Sequence, residues 1–228
     1  MKKLLGAAGF VILVSGLLAW HYWPRTAPVT RSVAVVSPSP SATPTSTPLP
    51  ASTVTSTPTA TPTLQPAMIA PIADFKARIT KKTFGLYVTP SNSPVHPERF
   101  TGYHTGVDVE YSDVTADVPV YAAANGTVVE AQWVSGYGGF LAEKSTVNGR
   151  QLFIVYGHLR ASSLVKAGTE VQQGQPLGVL GTAYSQETDG ERRHLHFGIY
   201  LGNSLSVKGY VSNKADLVNW ENPLDFYP

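Results

Sequence analysis

Cysteine is absent from the 228-residue chain, which excludes a disulfide framework and any thiolate metal site and suits an exported protein. Acidic residues are absent from the first 71 positions, where four of the 17 basic residues fall (Lys2, Lys3, Arg25 and Arg31). The remainder holds 13 basic against all 15 acidic residues, so the overall charge of +2 comes from the N-terminal end. It gives no ground for a nucleic-acid-binding surface. Long amphipathic helical patterns are missing after residue 72, and histidine is scarce, with six in all. Such scarcity gives weight to any pattern that uses four of them.

Behind Lys2-Lys3 an apolar run extends from Leu4 to Trp20 and continues into His21, Tyr22 and Trp23. That matches the roughly 20 residues needed to cross a bilayer, with interfacial aromatics at the far end and lysines on the cytoplasmic side. Residues 1–24 are therefore expected to be a membrane anchor that places the rest of the chain outside the cytoplasm. A cleaved signal peptide is the competing reading; Leu18-Ala19-Trp20-His21-Tyr22 suits cleavage poorly. From Ser32 to Pro71 no residue is charged, and eight prolines between Pro38 and Pro66 prevent helix or sheet from propagating. Residues 25–71 read as a disordered Ser/Thr/Pro stalk, whose uncharged part from Ser32 to Pro71 would reach at most roughly 120 Å.

Residues 72–228 carry short strand patterns between Gly, Pro and Asn turns, which predicts an all-β, mostly antiparallel core. Strands are expected over 82–88, 118–123, 126–133, 139–144, 151–157, 175–180 and 194–201. Asn125-Gly126 and Asn148-Gly149 are hairpin-type dipeptides. One or two helical turns are expected over Asp74 to Lys81, and a short turn over Asn213 to Val218 capped by Ser212. The aromatic C-terminal end, Asn219 to Tyr227, is expected to pack back as a seal.

In His194-Leu195-His196-Phe197-Gly198-Ile199-Tyr200-Leu201, apolar residues fill every alternate position. On a strand this gives one core-directed face and one face presenting both imidazoles, which could share a metal. His104 and Asp108 form a His-x-x-x-Asp pattern, and Tyr156-Gly157-His158-Leu159 closes a third candidate strand on which alternation places Leu152, Ile154, Tyr156 and His158 together. A lone His-x-x-x-Asp is weak and a lone His-x-His on an alternating strand is better, with an exposed polar face as its bland reading; the combination is strong. His96, between Val95 and Pro97, reads as an ordinary loop residue.

Taken in order, these three segments resemble the lysostaphin-type, or LytM-type, zinc metallopeptidases. That family carries His-x-x-x-Asp, a histidine in Tyr-x-His-Leu, and a closing His-Leu-His-Phe. The resemblance covers roughly Phe84 to Leu201. It implies one Zn²⁺ held by His104, Asp108 and His196, with an open fourth position for water. His194 is then placed as the proton-transfer base, and His158 as the group that donates to the oxyanion or holds the water. The implied activity is endopeptidase cleavage of peptide cross-links or bridges in peptidoglycan, from a domain tethered to the membrane, with a regulatory partner conceivable. A non-catalytic relative that binds wall peptide or activates another hydrolase is the alternative. A biotinyl or lipoyl carrier would need an exposed lysine at a hairpin tip, for which Lys144 is a poor candidate. Two segments depart from the family pattern: 183–193 is charged and 89–102 is long and proline-containing, and both are expected to wall the groove.

Overall fold

The computed structural model describes residues 67–227. The expected anchor and the stalk as far as residue 66 lie outside the described residues, as does Pro228. Among the described residues no helix is long and apolar enough to cross a membrane.

The chain forms β1 (Tyr87–Val88), β2 (Gly102–His104), β3 (Gly106–Glu110), β4 (Pro119–Tyr121), β5 (Gly126–Val134), β6 (Gly138–Val147), β7 (Arg150–Leu159), β8 (Glu170–Val171), β9 (Pro176–Val179), β10 (His194–Tyr200), β11 (Tyr210–Val211) and β12 (Trp220–Glu221). Helical structure among the described residues is confined to 3₁₀ turns at Ala161–Ser163, Gln186–Thr188, Lys214–Asn219 and Pro223–Phe226. The main sheet runs β12-β10-β7-β6-β5-β8, with β3 also paired to β10; β1-β2-β11 and β4-β9 form two smaller sheets. Every pairing is antiparallel. The all-β expectation holds.

Several local expectations change. The strand expected over 82–88 shrinks to Tyr87–Val88, because Gly85 turns the chain with φ +74°. After Asp74 a hydrogen-bonded turn forms, within the one or two expected, closed by Arg78 N–H on Asp74 O at 3.0 Å. Ser212 is not a cap: the 3₁₀ turn starts at Lys214, with Asn213 in the capping position and no side-chain cap bond. Asn148-Gly149, with φ +50° and +75°, makes the two-residue hairpin between β6 and β7. Asn125-Gly126 makes none; Asn125 Oδ1 instead accepts from the Gln173 amide at 2.8 Å. Lys144 sits inside β6 opposite Thr127 and Phe153, away from any hairpin tip, so the carrier reading loses its lysine.

One face of the main sheet is the core. Leu141, Leu152, Ile154, Tyr156, Leu195, Phe197 and Ile199 pack there with Val107 and Val109 of β3, beneath Val120 of β4 and Leu177 of β9. Packing begins at Met68, which is buried, and the Ile69 amide donates to Ala123 O at 2.9 Å. The C-terminal aromatics close this side as expected, with the Tyr227 ring 4.9 Å from Phe75 and its hydroxyl on Ile69 O. The opposite face carries a small cluster of Tyr137, Phe140, Ala142 and Val155, and it leads into a cleft.

The core also contains a carboxyl group. Glu143, fully buried, accepts from Ser145 Oγ and from Tyr156 Oη at 2.8 Å. Burial pushes it up to about 6, with the Ser145, Tyr156 and Ala124 hydrogen bonds opposing. A carboxyl raised in the folded state contributes stability below its ordinary value of 4.5 that is lost as pH rises through about 6. The loss is worth ~2 kcal/mol. Glu143→Gln should therefore remove ~2 kcal/mol of the decline in unfolding free energy between pH 4.5 and 7.5, as read by urea titration. An identical pH slope in both proteins would show that Glu143 does not titrate in this range.

Candidate metal centre and catalytic cleft

The His-x-x-x-Asp segment spans β2 and β3. His104 ends β2 and Asp108 lies in the middle of β3, which runs along β10 with Asp108 opposite His196 and Glu110 opposite His194. Directly opposed residues share a face of an antiparallel pair, so the register alone brings His196 to the carboxylate. Gly106 makes the approach possible: a Cβ there would fall 2.4 Å from Phe197 O. As the alternation predicts, Leu195, Phe197 and Ile199 face the core while His194 and His196 face the cleft.

Three donor atoms converge. His104 Nε2 lies 3.1 Å from Asp108 Oδ1 and 3.0 Å from His196 Nδ1, and the latter is 3.3 Å from Asp108 Oδ1. Atoms bound to one tetrahedral Zn²⁺ at about 2.0–2.1 Å would stand ~3.3 Å apart, close to these edges. Proton bookkeeping supports the fit. His104 Nδ1–H donates to Thr83 O at 3.1 Å, so the Nε2 of a neutral ring presents a lone pair. Asp108 Oδ1 is buried and accepts no hydrogen bond, and His196 Nε2 has no partner that would fix a proton on Nδ1. A carboxylate oxygen and two imidazole nitrogens, all buried and aimed at one point, suit a divalent cation. His104, Asp108 and His196 form the metal-type cluster among the described residues.

His194 and His158 stand beside this cluster, their ring centroids 4.2 Å apart. His194 Nδ1–H donates to Arg192 O at 2.9 Å, which leaves Nε2 as an acceptor 3.4 Å from Asp108 Oδ2. Burial, and then the Arg192 charge, hold His194 well below its ordinary value of 6.5. Burial likewise pulls His158 down to about 3. Both rings are therefore neutral near pH 7. His158 Nδ1–H donates to Thr188 O at 3.3 Å, so its Nε2 also accepts rather than donates.

His158 reaches the cleft by a different route from the one alternation suggests. The β6–β7 register slips between Gly139 and Phe140, which pair with Leu159 and Gly157, so His158 is the extra residue of a β-bulge. Its φ is +64°, a left-handed conformation that costs a non-glycine residue roughly 1–2 kcal/mol. Tyr156 and Leu159 face the core, and the bulge turns His158 to the other side. Beside it, Gly157 makes room for an aromatic floor: a Cβ there would lie 2.3 Å from the Tyr137 ring. The Tyr137 ring lies 5.3 Å from His196 and 5.7 Å from His158.

The cleft encloses about 300 Å³. Both divergent segments line it as expected, through Phe100 and Thr101 on one side and Glu191 and Arg192 on the other. Tyr103 does not; its ring packs against Tyr87 at 4.8 Å, tilted by 52°. His96 is an exposed loop residue outside the cleft. Four contributions were not visible in the sequence: the Ser135–Tyr137 hairpin end, Lys82, Tyr210 and the Arg192–Glu110 pair. Lys82, almost fully buried, donates to Tyr210 Oη at 2.9 Å and pairs with Glu98, and Tyr210 packs 5.2 Å from the His104 ring. Ser135–Tyr137, Lys82 and Arg192 lie in loops and Tyr210 on a two-residue strand, none of which displays a period, and Glu110 joins Arg192 only through the β3–β10 register.

Burial acts to raise Asp108, but His194, His104 and Arg192 around it hold it well below the usual carboxylate range. Among these neighbours Arg192 is the fixed charge; its Nη2 donates to Asp108 Oδ2 at 2.7 Å.

Comparison with known proteins places this arrangement. No curated protein matches the chain. Among solved structures, lysostaphin is 33% identical over 51% of this chain and 43% of its own, with a TM-score of 0.36. The lytM protein of Ruminococcus gnavus is 25% identical over 50% of this chain and 45% of its own, at a TM-score of 0.36. LytU is 26% identical over 65% of this chain and 83% of its own, at 0.42. The chain thus spans less than half the length of the first two. The model of peptidase family M23 matches residues 102–208, a span that contains His104, Asp108, His158, His194 and His196. With every position of the motif present, residues 102–208 of the chain are similar to peptidase family M23.

Proposed function

We propose that the chain is a zinc endopeptidase that hydrolyses peptide bonds in peptidoglycan cross-links or bridges. Residues 1–24 would anchor it in the cytoplasmic membrane and residues 25–71 would carry the catalytic domain outward as a stalk. The observation that carries the enzymatic reading is the convergence of His104 Nε2, Asp108 Oδ1 and His196 Nδ1 within 3.0–3.3 Å, with two further neutral imidazoles at the same cleft.

His104, Asp108 and His196 would hold the metal. When bound, Zn²⁺ supplies Lewis acidity at a scissile carbonyl and makes water a nucleophile near neutral pH. The chain's own residues handle the proton. His194 Nε2, unprotonated because Nδ1 is committed to Arg192 O, accepts the proton of the attacking water. The imidazolium so formed faces Asp108 Oδ2 at 3.4 Å, and its proton then passes to the leaving amine. His158, whose Nδ1–H is held by Thr188 O, acts in its neutral form as an acceptor that orients the water; this favours water holding over oxyanion donation. Phe100, Thr101, Glu191 and Arg192 border the cleft where the peptide would lie.

The test is incubation of the purified full chain with Zn²⁺ and bacterial sacculi, followed by analysis of the released fragments. Soluble muropeptides with newly cut peptide bonds are expected, and a chelator should stop their release. Intact sacculi despite full zinc loading would sink the enzymatic reading.

A further inference from the structure

We infer that Arg192, gripped by Glu110, is a positioning residue that confines Asp108 to a single coordinating oxygen; this rests on the metal-centre reading above. The two oxygens of Asp108 have different surroundings. Oδ1 faces His104 Nε2 and His196 Nδ1 and accepts no hydrogen bond. Oδ2 is taken by Arg192 Nη2 at 2.7 Å. Arg192 is itself tied down, since Nε donates to the two Glu110 oxygens at 3.1 and 3.0 Å and Nη2 donates to Oε1 at 2.7 Å. All three side chains are buried.

The strand register explains why these groups meet. Asp108 and Glu110 alternate on β3 opposite His196 and His194 of β10. Arg192 lies two residues before His194, where it bridges both carboxylates. Glu110 holds one edge of the guanidinium through Nε and Nη2, and Nη2 is shared with Asp108. Nη1 is buried without a partner, so no other group competes for the orientation of the fork.

The consequence is geometric. A carboxylate can bind a metal through one oxygen or through both. With two imidazoles and one carboxylate oxygen, three of four tetrahedral positions are filled and one stays open for water. If Oδ2 also swung to the metal, the open position would be crowded and a buried, charge-assisted hydrogen bond would break. Arg192 blocks that rotation. Outer groups of this kind orient ligands, and their loss typically lowers metal affinity or activity about 10–100-fold.

The experiment uses the full chain loaded with Co²⁺ alone, whose visible absorption is strong in four-coordinate sites and weak in five-coordinate ones. Arg192→Leu by itself would leave the buried Glu110 charge with only Lys81 Nζ at 3.7 Å, so it is paired with Glu110→Leu. Arg192→Gln serves as a milder second variant. Wild type should show the intense four-coordinate spectrum. Both variants should still bind one Co²⁺ but lose absorption severalfold, and their zinc forms should lose about 10–100-fold in kcat/KM. Arg192→Lys, which keeps a cation at Oδ2, should retain most of the intensity. A wild-type spectrum in either the double variant or Arg192→Gln would overturn the clamp while leaving the metal centre standing. A wild-type chain that takes up no Co²⁺ would instead remove the metal-centre reading, and the clamp with it.

Discussion

His196→Ala is expected to empty the metal centre, whereas His194→Ala should keep close to one zinc per chain and lose turnover about 10²–10⁴-fold, the usual contribution of a general acid–base. The two residues share a strand face and are separated only by Leu195, yet their rings reach different groups. His196 Nδ1 lies within 3.0–3.3 Å of His104 Nε2 and Asp108 Oδ1, so its removal takes away one of three converging donors. His194 reaches the carboxylate only at Oδ2, the oxygen already taken by Arg192. Its Nε2 is the free acceptor of a ring that Arg192 O holds in one tautomer. Metal content by mass spectrometry and kcat on a defined cross-linked muropeptide separate the two effects. Equal zinc loss in both variants would mean that His194 is a ligand. Unchanged turnover in His194→Ala would move the proton-transfer role to His158.

Strand alternation made the shared face of His194 and His196 legible in the sequence, whereas the parts given to His104, Asp108 and His158 rested on the resemblance to the lysostaphin-type metallopeptidases. In His194 to Tyr200 apolar residues occupy every second position, and the structure places both histidines opposite that face. His158 shows where the rule runs out. Simple alternation puts it with Tyr156 on the core side, but a one-residue bulge reverses it, and nothing in Tyr156-Gly157-His158-Leu159 announces a bulge except the neighbouring glycine. Strands β2, β3, β8, β11 and β12 were not expected either: four of them have two or three residues, which cannot display a period, and β3 is buried along its whole length. β8 and β12 form on the longer strands β5 and β10, while β2 and β11 pair with each other in a separate small sheet with β1, which is tertiary information. For the same reason Arg192 read only as a member of the charged segment 183–193 and Glu110 was not singled out; 82 positions apart in sequence, they meet through the β3–β10 register.

The sharpest test of the centre itself is Asp108→Asn, because Asp108 has two readings. As a buried ion pair with Arg192 it would be chiefly structural, and breaking such a pair by neutralising one partner typically costs ~3–5 kcal/mol. As a metal ligand its charge is needed for the cation, and the metal-free protein must carry a carboxylate oxygen against imidazole nitrogens at 3.1 and 3.3 Å. The asparagine amide has the same shape. Its oxygen can accept from Arg192 Nη2, which Glu110 continues to neutralise, and its NH₂ can donate toward His104 Nε2 and His196 Nδ1. Each new bond is worth ~1 kcal/mol, enough to offset much of the weakened contact with Arg192. The metal-free Asn variant should therefore unfold within ~1 kcal/mol of metal-free wild type. Wild type should gain about 4 kcal/mol when free zinc reaches 1,000 times Kd, while the variant gains almost nothing. Urea titrations with chelator and with excess zinc provide both comparisons, and activity should fall with the zinc response. A metal-free variant several kcal/mol less stable than metal-free wild type, with the zinc response intact, would assign Asp108 to the ion pair and leave the cation to other groups in the cleft.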